Sequence, residues 1–182
     1  MRLFVAIDVP AEIKDALRCF VDRLRPAAKI GWSPVDNLHV TTKFIGEWPE
    51  ARLDEMKRGL TSVPVKGAIE VTVKGLGWFP NQRRPRVFWA GVEGGEPLRA
   101  LAQATEQAAG RLGVPTEERA YSPHLTLARI REAVPLDRLH QTIESFPAGC
   151  GFNFGSFCAT RFFLYRSAGG KYTQLAGFPL EQ

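Results

Sequence analysis

The sequence lacks long apolar runs and has few cysteines. No apolar stretch approaches the roughly 20 residues that a membrane-spanning helix needs, so we expect no contact with a membrane. The opening segment MRLFVAIDVP meets Asp8 and Pro10 after a short apolar run, which is not typical of a signal peptide. The three cysteines, Cys19, Cys150 and Cys158, form no C-x-x-C pair, and an odd number cannot pair completely within the chain. We therefore expect a cytoplasmic protein with free, buried thiols.

The composition is that of an ordinary globular protein. The 182 residues are 45% hydrophobic and 24% charged, which excludes a disordered chain, a collagen-like fibre and a disulfide-rich miniprotein. The net charge of +5 is compatible with anionic partners and equally with a solubilising surface. No linker or low-complexity segment divides the chain, so we predict a single domain, residues 1–182. We also expect a monomer.

Hydrophobic patterning predicts strands and helices interspersed along the whole chain. We predict strands over residues 2–8, 38–45, 68–79, 86–92, 122–130, 152–157 and 161–166. We predict helices over residues 10–26, 49–60, 97–112 and 135–146. Interspersed helices and hairpin-like strand pairs favour an α+β fold with antiparallel sheets over a doubly wound parallel sheet. Five phenylalanines in the last strands are expected in the core: Phe152, Phe154, Phe157, Phe162 and Phe163.

Two of only three histidines begin the same pattern. Residues 39–47 and 124–132 both read H-x-T-x-x-x-I-x-E, one in each half of the chain and each on a predicted strand. A single H-x-T tripeptide is weak, because histidine in a strand is usually structural and threonine is common there. The repetition favours function. Residues two apart on a strand project to one face, so each histidine points the same way as its threonine.

Two such pairs facing each other across a cleft suit phosphodiester chemistry. Imidazoles near neutral pH can divide the acid and base roles, and hydroxyls can donate hydrogen bonds to phosphate oxygens. A metal site is the competing interpretation, but no third ligand is convincingly spaced, so we predict neither a metal nor a cofactor. The third histidine, His140, is interpreted as a surface or packing residue of a helix.

Longer segments carry a family resemblance. LFVAIDVP, WSPVDNLHVTTKFIGE, AYSPHLTLARI and LYRS…YTQLAGFPL occur in this order over almost the whole chain. With the paired motifs, they resemble the two-histidine phosphoesterase superfamily and, within it, the RNA 2′,3′-cyclic phosphodiesterases, also called 2′-5′ RNA ligases. The resemblance implies two pseudo-symmetric α+β lobes with antiparallel sheets that flank a central cleft.

The resemblance also implies a reaction and its residues. An RNA or nucleoside 2′,3′-cyclic phosphate would be hydrolysed to a 2′-phosphomonoester, and members of the family also join tRNA fragments through a 2′-5′ linkage without ATP. By motif order, His39 would be the proton donor and His124 the proton acceptor, while Thr41 and Thr126 would bind the substrate. Strand parity alone does not distinguish the donor from the acceptor.

Four neighbouring residues are weaker candidates for the site. Thr42 departs from the apolar residue usual at this place in the family, and we interpret it as sheet packing. Lys43 shares the parity of His39 and either binds phosphate or lies at the surface. Arg129 has the parity opposite to its motif histidine, so it reaches the substrate only if the strand bends or ends. Tyr121 either stacks on a base or belongs to the core.

A basic and aromatic region lies in residues 68–92, which are predicted to form a hairpin. Arg83, Arg84 and Arg86 cluster in the sequence with Trp78, Phe79 and Trp89. The group is either an RNA-binding surface or a solvated hairpin tip over packed aromatic residues.

Two other functions compete with RNA-end hydrolysis. The same site could act on a small cyclic phosphate such as ADP-ribose cyclic phosphate, or the protein could bind RNA ends without catalysis. Two titrating imidazoles argue against a pure binder, because binding a phosphate does not need them.

Overall fold

A computed structural model describes residues 1–65, 67–147 and 151–180 of the chain. Within these ranges the residues form nine strands and four helices. The strands are β1 (Arg2–Asp8), β2 (Gly31–Trp32), β3 (His39–Glu47), β4 (Ile69–Phe79), β5 (Val87–Glu93), β6 (His124–Arg129), β7 (Asn153–Ala159), β8 (Arg161–Ala168) and β9 (Lys171–Pro179). The helices are α1 (Ala11–Leu24), α2 (Leu53–Thr61), α3 (Gly95–Arg111) and α4 (Asp137–Glu144).

The seven predicted strands and four predicted helices are all confirmed, within a few residues at their ends. Two strands were not predicted. β2 has only two residues, which is too short for a periodic signal. β9 has four exposed residues, Lys171 to Gln174, before any partly buried one, so it lacks the apolar alternation that identifies a strand.

The strands form two antiparallel sheets, which confirms the predicted α+β class. One has the order β3-β1-β8-β9 and the other β2-β6-β5-β4-β7. The first sheet combines the two ends of the chain, and the second is built mainly from residues 69–159. Two equivalent units, β1–α1–β3 and β5–α3–β6, lie in opposite sheets, and each ends in a motif strand. The two lobes are therefore related by this repeated strand–helix–strand unit.

The core forms where apolar faces of the helices and sheets meet. Residues Leu3 to Ile7 of β1 are all buried, because β1 lies between two strands and packs on both faces. Helix α1 buries the predicted stripe in full: Ile13, Leu17, Phe20, Val21 and Leu24. Among the predicted core phenylalanines, Phe162 is buried and Phe163 packs on a separate small cluster around Phe4 and Tyr165. The remaining three, Phe152, Phe154 and Phe157, are partly buried against the main core.

The cysteine prediction is corrected. Cys19 and Cys158 are exposed, although free thiols were expected in the core. Cys19 lies off the buried stripe of α1, and Cys158 is paired with exposed Glu70 on the solvent face of β7, an edge strand. Cys150 lies outside the described residues. Within the part of the chain that is described, no helix has the length and apolar character needed to cross a membrane.

Candidate active site

The two motifs lie at corresponding places in the two sheets. β3 carries His39 and Thr41, and β6 carries His124 and Thr126. In the register of each ladder, His39 is opposite Asp8 and His124 is opposite Gly91. All four motif side chains are partly exposed, whereas the residues between each histidine and its threonine are fully buried. The alternation predicted for these residues is therefore confirmed.

The motif strands adjoin one cleft of about 930 Å³. Thr41 lines it from β3 and His124 lines it from β6, and these two strands contact each other. The charge of His124 also influences the pKa of His39, so the two imidazoles share one electrostatic environment. The structure thus brings Thr41 and His124 to one cleft, although they are separated by more than 80 residues in the sequence, whereas His39 and Thr126 are not among the residues that line it.

Each imidazole makes an equivalent hydrogen bond to a backbone carbonyl two residues before it. Nδ1 of His39 lies 2.7 Å from the carbonyl oxygen of Asn37, and Nδ1 of His124 lies 2.7 Å from that of Ser122. A carbonyl can only accept, so Nδ1 carries the proton in each ring. In the neutral form, Nε2 of each ring therefore has the lone pair. Within the described residues, neither Nε2 has a hydrogen-bond partner, so both are available for proton transfer.

The two histidines have different charged neighbours. Burial lowers the pKa of His39, while the hydrogen bond to Asn37 and the carboxylate of Asp8 oppose this shift. Lys14 and His124 lower it further. Burial also lowers the pKa of His124, against the opposing hydrogen bond to Ser122.

The charge beside His124 has the opposite sign to that of Asp8. Arg129 lowers the pKa of His124. His39 therefore has a carboxylate that favours its protonated form, and His124 has a guanidinium that favours its neutral form.

A β-bulge follows each H-x-T segment at the same place. Thr42 has no partner on β1, because Ala6 pairs with Thr41 and Val5 pairs with Lys43. A bulge exchanges the two faces of the strand beyond it. Phe44, opposite Phe4, therefore lies on the face of His39, and Lys43 lies on the opposite face with Val5. The predicted parity of Lys43 is wrong for this reason.

The second bulge has the converse effect on Arg129. Leu127 has no partner on β5, since Trp89 pairs with Thr126 and Phe88 pairs with Ala128. Arg129 pairs with Val87, two residues from Trp89, and so lies on the face of Thr126. The condition stated for Arg129, that the strand must bend, is met by this bulge.

Lys43 is engaged by helix α3. Its Nζ donates to Oε1 of Glu106 at 2.7 Å and to the carbonyl oxygen of Pro115 at 2.8 Å, and its side chain is 4% exposed. It still borders the cleft, so a role in phosphate binding stays a prediction. Thr42 is buried and donates to the carbonyl oxygen of Val5, which confirms its packing role.

Tyr121 joins the two lobes. Its hydroxyl donates to the carbonyl oxygen of Thr41 at 3.0 Å, and burial raises the pKa of the phenol. The ring packs against the main core and also lines the cleft. Core packing is therefore confirmed, and stacking on a base stays a prediction.

The aromatic surroundings of both histidines were not predicted. Phe4 stacks on His39 with ring centroids 4.5 Å apart, and Tyr172 meets the same imidazole edge-on at 5.2 Å. Phe79 meets His124 edge-on at 5.0 Å, with Trp89 farther away at 6.3 Å. These residues come from other strands, so only the pairing of the strands reveals them. Of these, Phe79 and Trp89 were noted in the sequence, but only as part of the hairpin and not beside His124.

The hairpin arginines have different surroundings. Arg83 and Arg84 are exposed at the tip, where their backbone amides donate to Oδ1 of Asn81. Arg86 lines the cleft and donates to the carbonyl oxygen of Arg131. The aromatic residues below them are packed, as in the stacking of Trp78 on Phe88 at 4.3 Å. Packing below the tip is confirmed, and RNA binding stays a prediction.

His140 lies outside the cleft. Its ring is 5.1 Å from that of Trp78, so of the two interpretations given for it, surface or packing, the structure shows packing. Among the described residues, no group of three or more histidine, cysteine, aspartate or glutamate side chains is arranged to hold a metal ion.

Comparisons with known proteins show the family of this chain. The family described as LigT like phosphoesterase matches residues 7–89 and 92–167. The chain is 33% identical to the RNA 2′,3′-cyclic phosphodiesterase of Methanocaldococcus jannaschii, over 92% of this chain and 91% of that protein. It is 30% identical to the protein of the same name from Methanothermobacter thermautotrophicus, over 99% of both.

A solved structure extends the match to the fold. The crystal structure of E. coli LigT complexed with 3′-AMP superposes with a TM-score of 0.78 at 30% identity, over 100% of this chain and 98% of that one. The match therefore spans both sheets and both motif strands of this chain. This chain therefore belongs to the LigT-like phosphoesterase family, as the paired H-x-T motifs indicated.

Proposed function

We propose that this chain is an RNA 2′,3′-cyclic phosphodiesterase that opens the P–O3′ bond and leaves a 2′-phosphomonoester. The observation that carries the proposal is the pair of motif histidines on two strands that contact each other, each with Nδ1 bound to a carbonyl and Nε2 free. The names of the relatives support this substrate class.

The reaction needs two proton transfers. Nε2 of His124 takes a proton from water as the water oxygen attacks phosphorus, and the P–O3′ bond breaks. Nε2 of His39 gives its proton to the departing 3′ oxygen. The neighbouring charges support this division of roles, since Asp8 favours a protonated His39 and Arg129 favours a neutral His124.

The remaining groups at the site balance the negative phosphate. The hydroxyls of Thr41 and Thr126 have no partner within the described residues, so each can donate to a non-bridging oxygen. Arg129 would add a charge-assisted hydrogen bond from the same face. Lys43 and Tyr121 border the cleft and would contribute at a longer range.

We propose that the reaction is metal-independent and uses no cofactor, because the two imidazoles account for both proton transfers. If the 5′-hydroxyl of a second RNA replaced water, the same steps would form a 2′-5′ linkage between tRNA fragments. No ATP is needed, since the cyclic phosphate is already activated. We further propose one domain over residues 1–182, because β1 and β9 share a sheet and neither end can be separated.

The test uses an oligonucleotide that ends in a 2′,3′-cyclic phosphate, incubated with the protein in EDTA and without ATP. Mass spectrometry and chromatography against 2′- and 3′-phosphate standards identify the product. His39→Ala and His124→Ala should each lower kcat by about 10²–10⁴, and His140→Ala, outside the cleft, serves as the matched control. Failure of the folded protein to convert this RNA would contradict the proposal, and conversion of ADP-ribose cyclic phosphate instead would favour the small-substrate alternative.

A further inference from the structure

The cleft extends well beyond the two motifs. One face of α3 forms its far wall, with Arg99, Gln103 and Glu106 at helical spacing. The hairpin contributes Arg86, and the segment before β6 contributes Glu117 and Arg119. We call this part of the cleft the α3 groove and define it by these six residues. From Arg99 to Glu106 the helix rises by about 10 Å, so the groove is longer than one phosphate group.

The groove is basic once its internal pairs are counted. Glu106 is neutralised by Lys43, to which it is bonded at 2.7 Å. Glu117 accepts a hydrogen bond from the backbone amide of Arg119. Within the described residues, Arg86, Arg99 and Arg119 have no ion-pair partner, and all three are exposed. Three guanidinium groups against one remaining carboxylate give the groove a net positive charge.

Aromatic residues line the cleft together with these arginines. Phe79 and Tyr121 line the same cleft beside His124. Arginines along a groove, together with aromatic side chains, are the combination that binds single-stranded nucleic acid: guanidinium groups contact the phosphates, and rings contact the bases.

The geometry points to a phosphate-backbone site in the α3 groove. A 2′,3′-cyclic phosphate occupies both ribose hydroxyls of the last nucleotide, so the rest of an RNA can leave the active site only through the 5′ oxygen. We propose that the groove binds the phosphodiesters on the 5′ side of that nucleotide, with Arg99 and Arg119 as the main contacts. The preferred substrate is then an oligonucleotide, not a mononucleotide. This inference rests on the proposed function.

The experiment compares two substrates with the same terminal nucleotide. kcat/KM is measured on a nucleoside 2′,3′-cyclic phosphate and on a hexanucleotide that ends in it, for the wild type and for the variant Arg99→Gln/Arg119→Gln. We expect the wild type to have a higher kcat/KM on the hexanucleotide than on the mononucleotide. In the variant the ratio of the two values should be about tenfold smaller. Arg111→Gln, on the same helix but outside the cleft, should keep it.

Salt dependence gives a second measurement. The logarithm of kcat/KM falls with the logarithm of KCl concentration, and this slope should be steeper for the hexanucleotide than for the mononucleotide. The difference in slope should be about 0.7 for each additional phosphate bound. The variant should show the shallower slope of the mononucleotide. Equal values for the two substrates in the wild type, or an unchanged preference in the variant, would overturn the inference.

Failure of this inference can be distinguished from failure of the proposed function. If neither substrate is converted, the proposed function is wrong. Binding of a fluorescent hexanucleotide then tests whether the α3 groove binds RNA. Binding that Arg99→Gln/Arg119→Gln weakens and Arg111→Gln preserves supports the groove as an RNA site. Equal binding by all three proteins contradicts it.

Discussion

Thr42 and Leu127 are equivalent: each is the unpaired residue of a β-bulge, three residues after a motif histidine. The two bulges exchange the faces of β3 and β6 directly beyond the H-x-T segments. The fifth residue after each histidine is thereby returned to the face of its motif threonine, as Phe44 in one lobe and Arg129 in the other. The corresponding position is therefore aromatic in one lobe and cationic in the other.

Arg129→Gln should lower kcat/KM on a nucleoside 2′,3′-cyclic phosphate by about tenfold, because a charge-assisted hydrogen bond to the phosphate is lost. It should also raise the pKa of His124, since Arg129 lowers it in the wild type. Steady-state kinetics and a histidine NMR titration measure the two effects. Arg131→Gln, two residues farther along the chain, is the matched control. An unchanged kcat/KM would show that the bulge does not bring Arg129 to the substrate.

Asp8→Asn should lower the pKa of His39, because the carboxylate opposite it in the ladder favours the protonated ring. The asparagine oxygen can still accept from the amide of Val9, so the local backbone is retained. If His39 is the proton donor, the alkaline limb of kcat moves to lower pH. Asp36→Asn, an exposed carboxylate paired with Arg18, should leave the profile unchanged. A shift of the acid limb alone would assign His39 as the base.

Lys43→Met should decrease the free energy of unfolding by about 1–3 kcal/mol, because Glu106 and the carbonyl of Pro115 lose their shared partner. Urea denaturation measures the loss. Lys57→Met removes an exposed pair with Asp54 at 3.8 Å and should change stability by less than about 1 kcal/mol. Equal losses in the two variants would mean that the Lys43 pair contributes no more than a surface contact.

Stability should fall as the solution is acidified from about pH 7, where the imidazoles are neutral. The pKa values of His39 and His124 are lower in the folded than in the unfolded chain, so the unfolded chain binds more protons once the pH drops below the ordinary histidine value. The loss grows until the pH passes the folded pKa values and then levels off. Urea denaturation at several pH values measures the free energy of unfolding. Its dependence on pH should be weaker for His39→Ala/His124→Ala than for His140→Ala. Equal slopes would contradict buried, neutral imidazoles.

Much of the site follows from local pattern alone. A histidine and the threonine two residues later share a face in any strand, so the pairs on β3 and β6 could be predicted without a structure. The apolar stripe of α1 is equally local, because helical periodicity determines which side chains can be buried together. Repetition of H-x-T distinguished a functional site from an ordinary strand histidine.

Strand periodicity predicts faces only while the register is regular. Lys43 was placed on the wrong face, and Arg129 needed a bend, because a bulge depends on how β1 and β5 pair with the motif strands. The aromatic partners Phe4, Phe79 and Tyr172 belong to strands far away in the chain, and β9 has too little apolar alternation to be recognised.

The sequence by itself determined the two histidine–threonine pairs, the α+β class and the family, because all three depend on residue identity and short-range periodicity. The tertiary structure decided which charge lies beside each histidine, since Asp8 reaches His39 across a sheet and Arg129 reaches His124 through a bulge. It also decided the orientation of both rings, through carbonyl oxygens that any residue at positions 37 and 122 could supply. Long-range strand pairing and backbone geometry thus gave two matching H-x-T segments different charged neighbours.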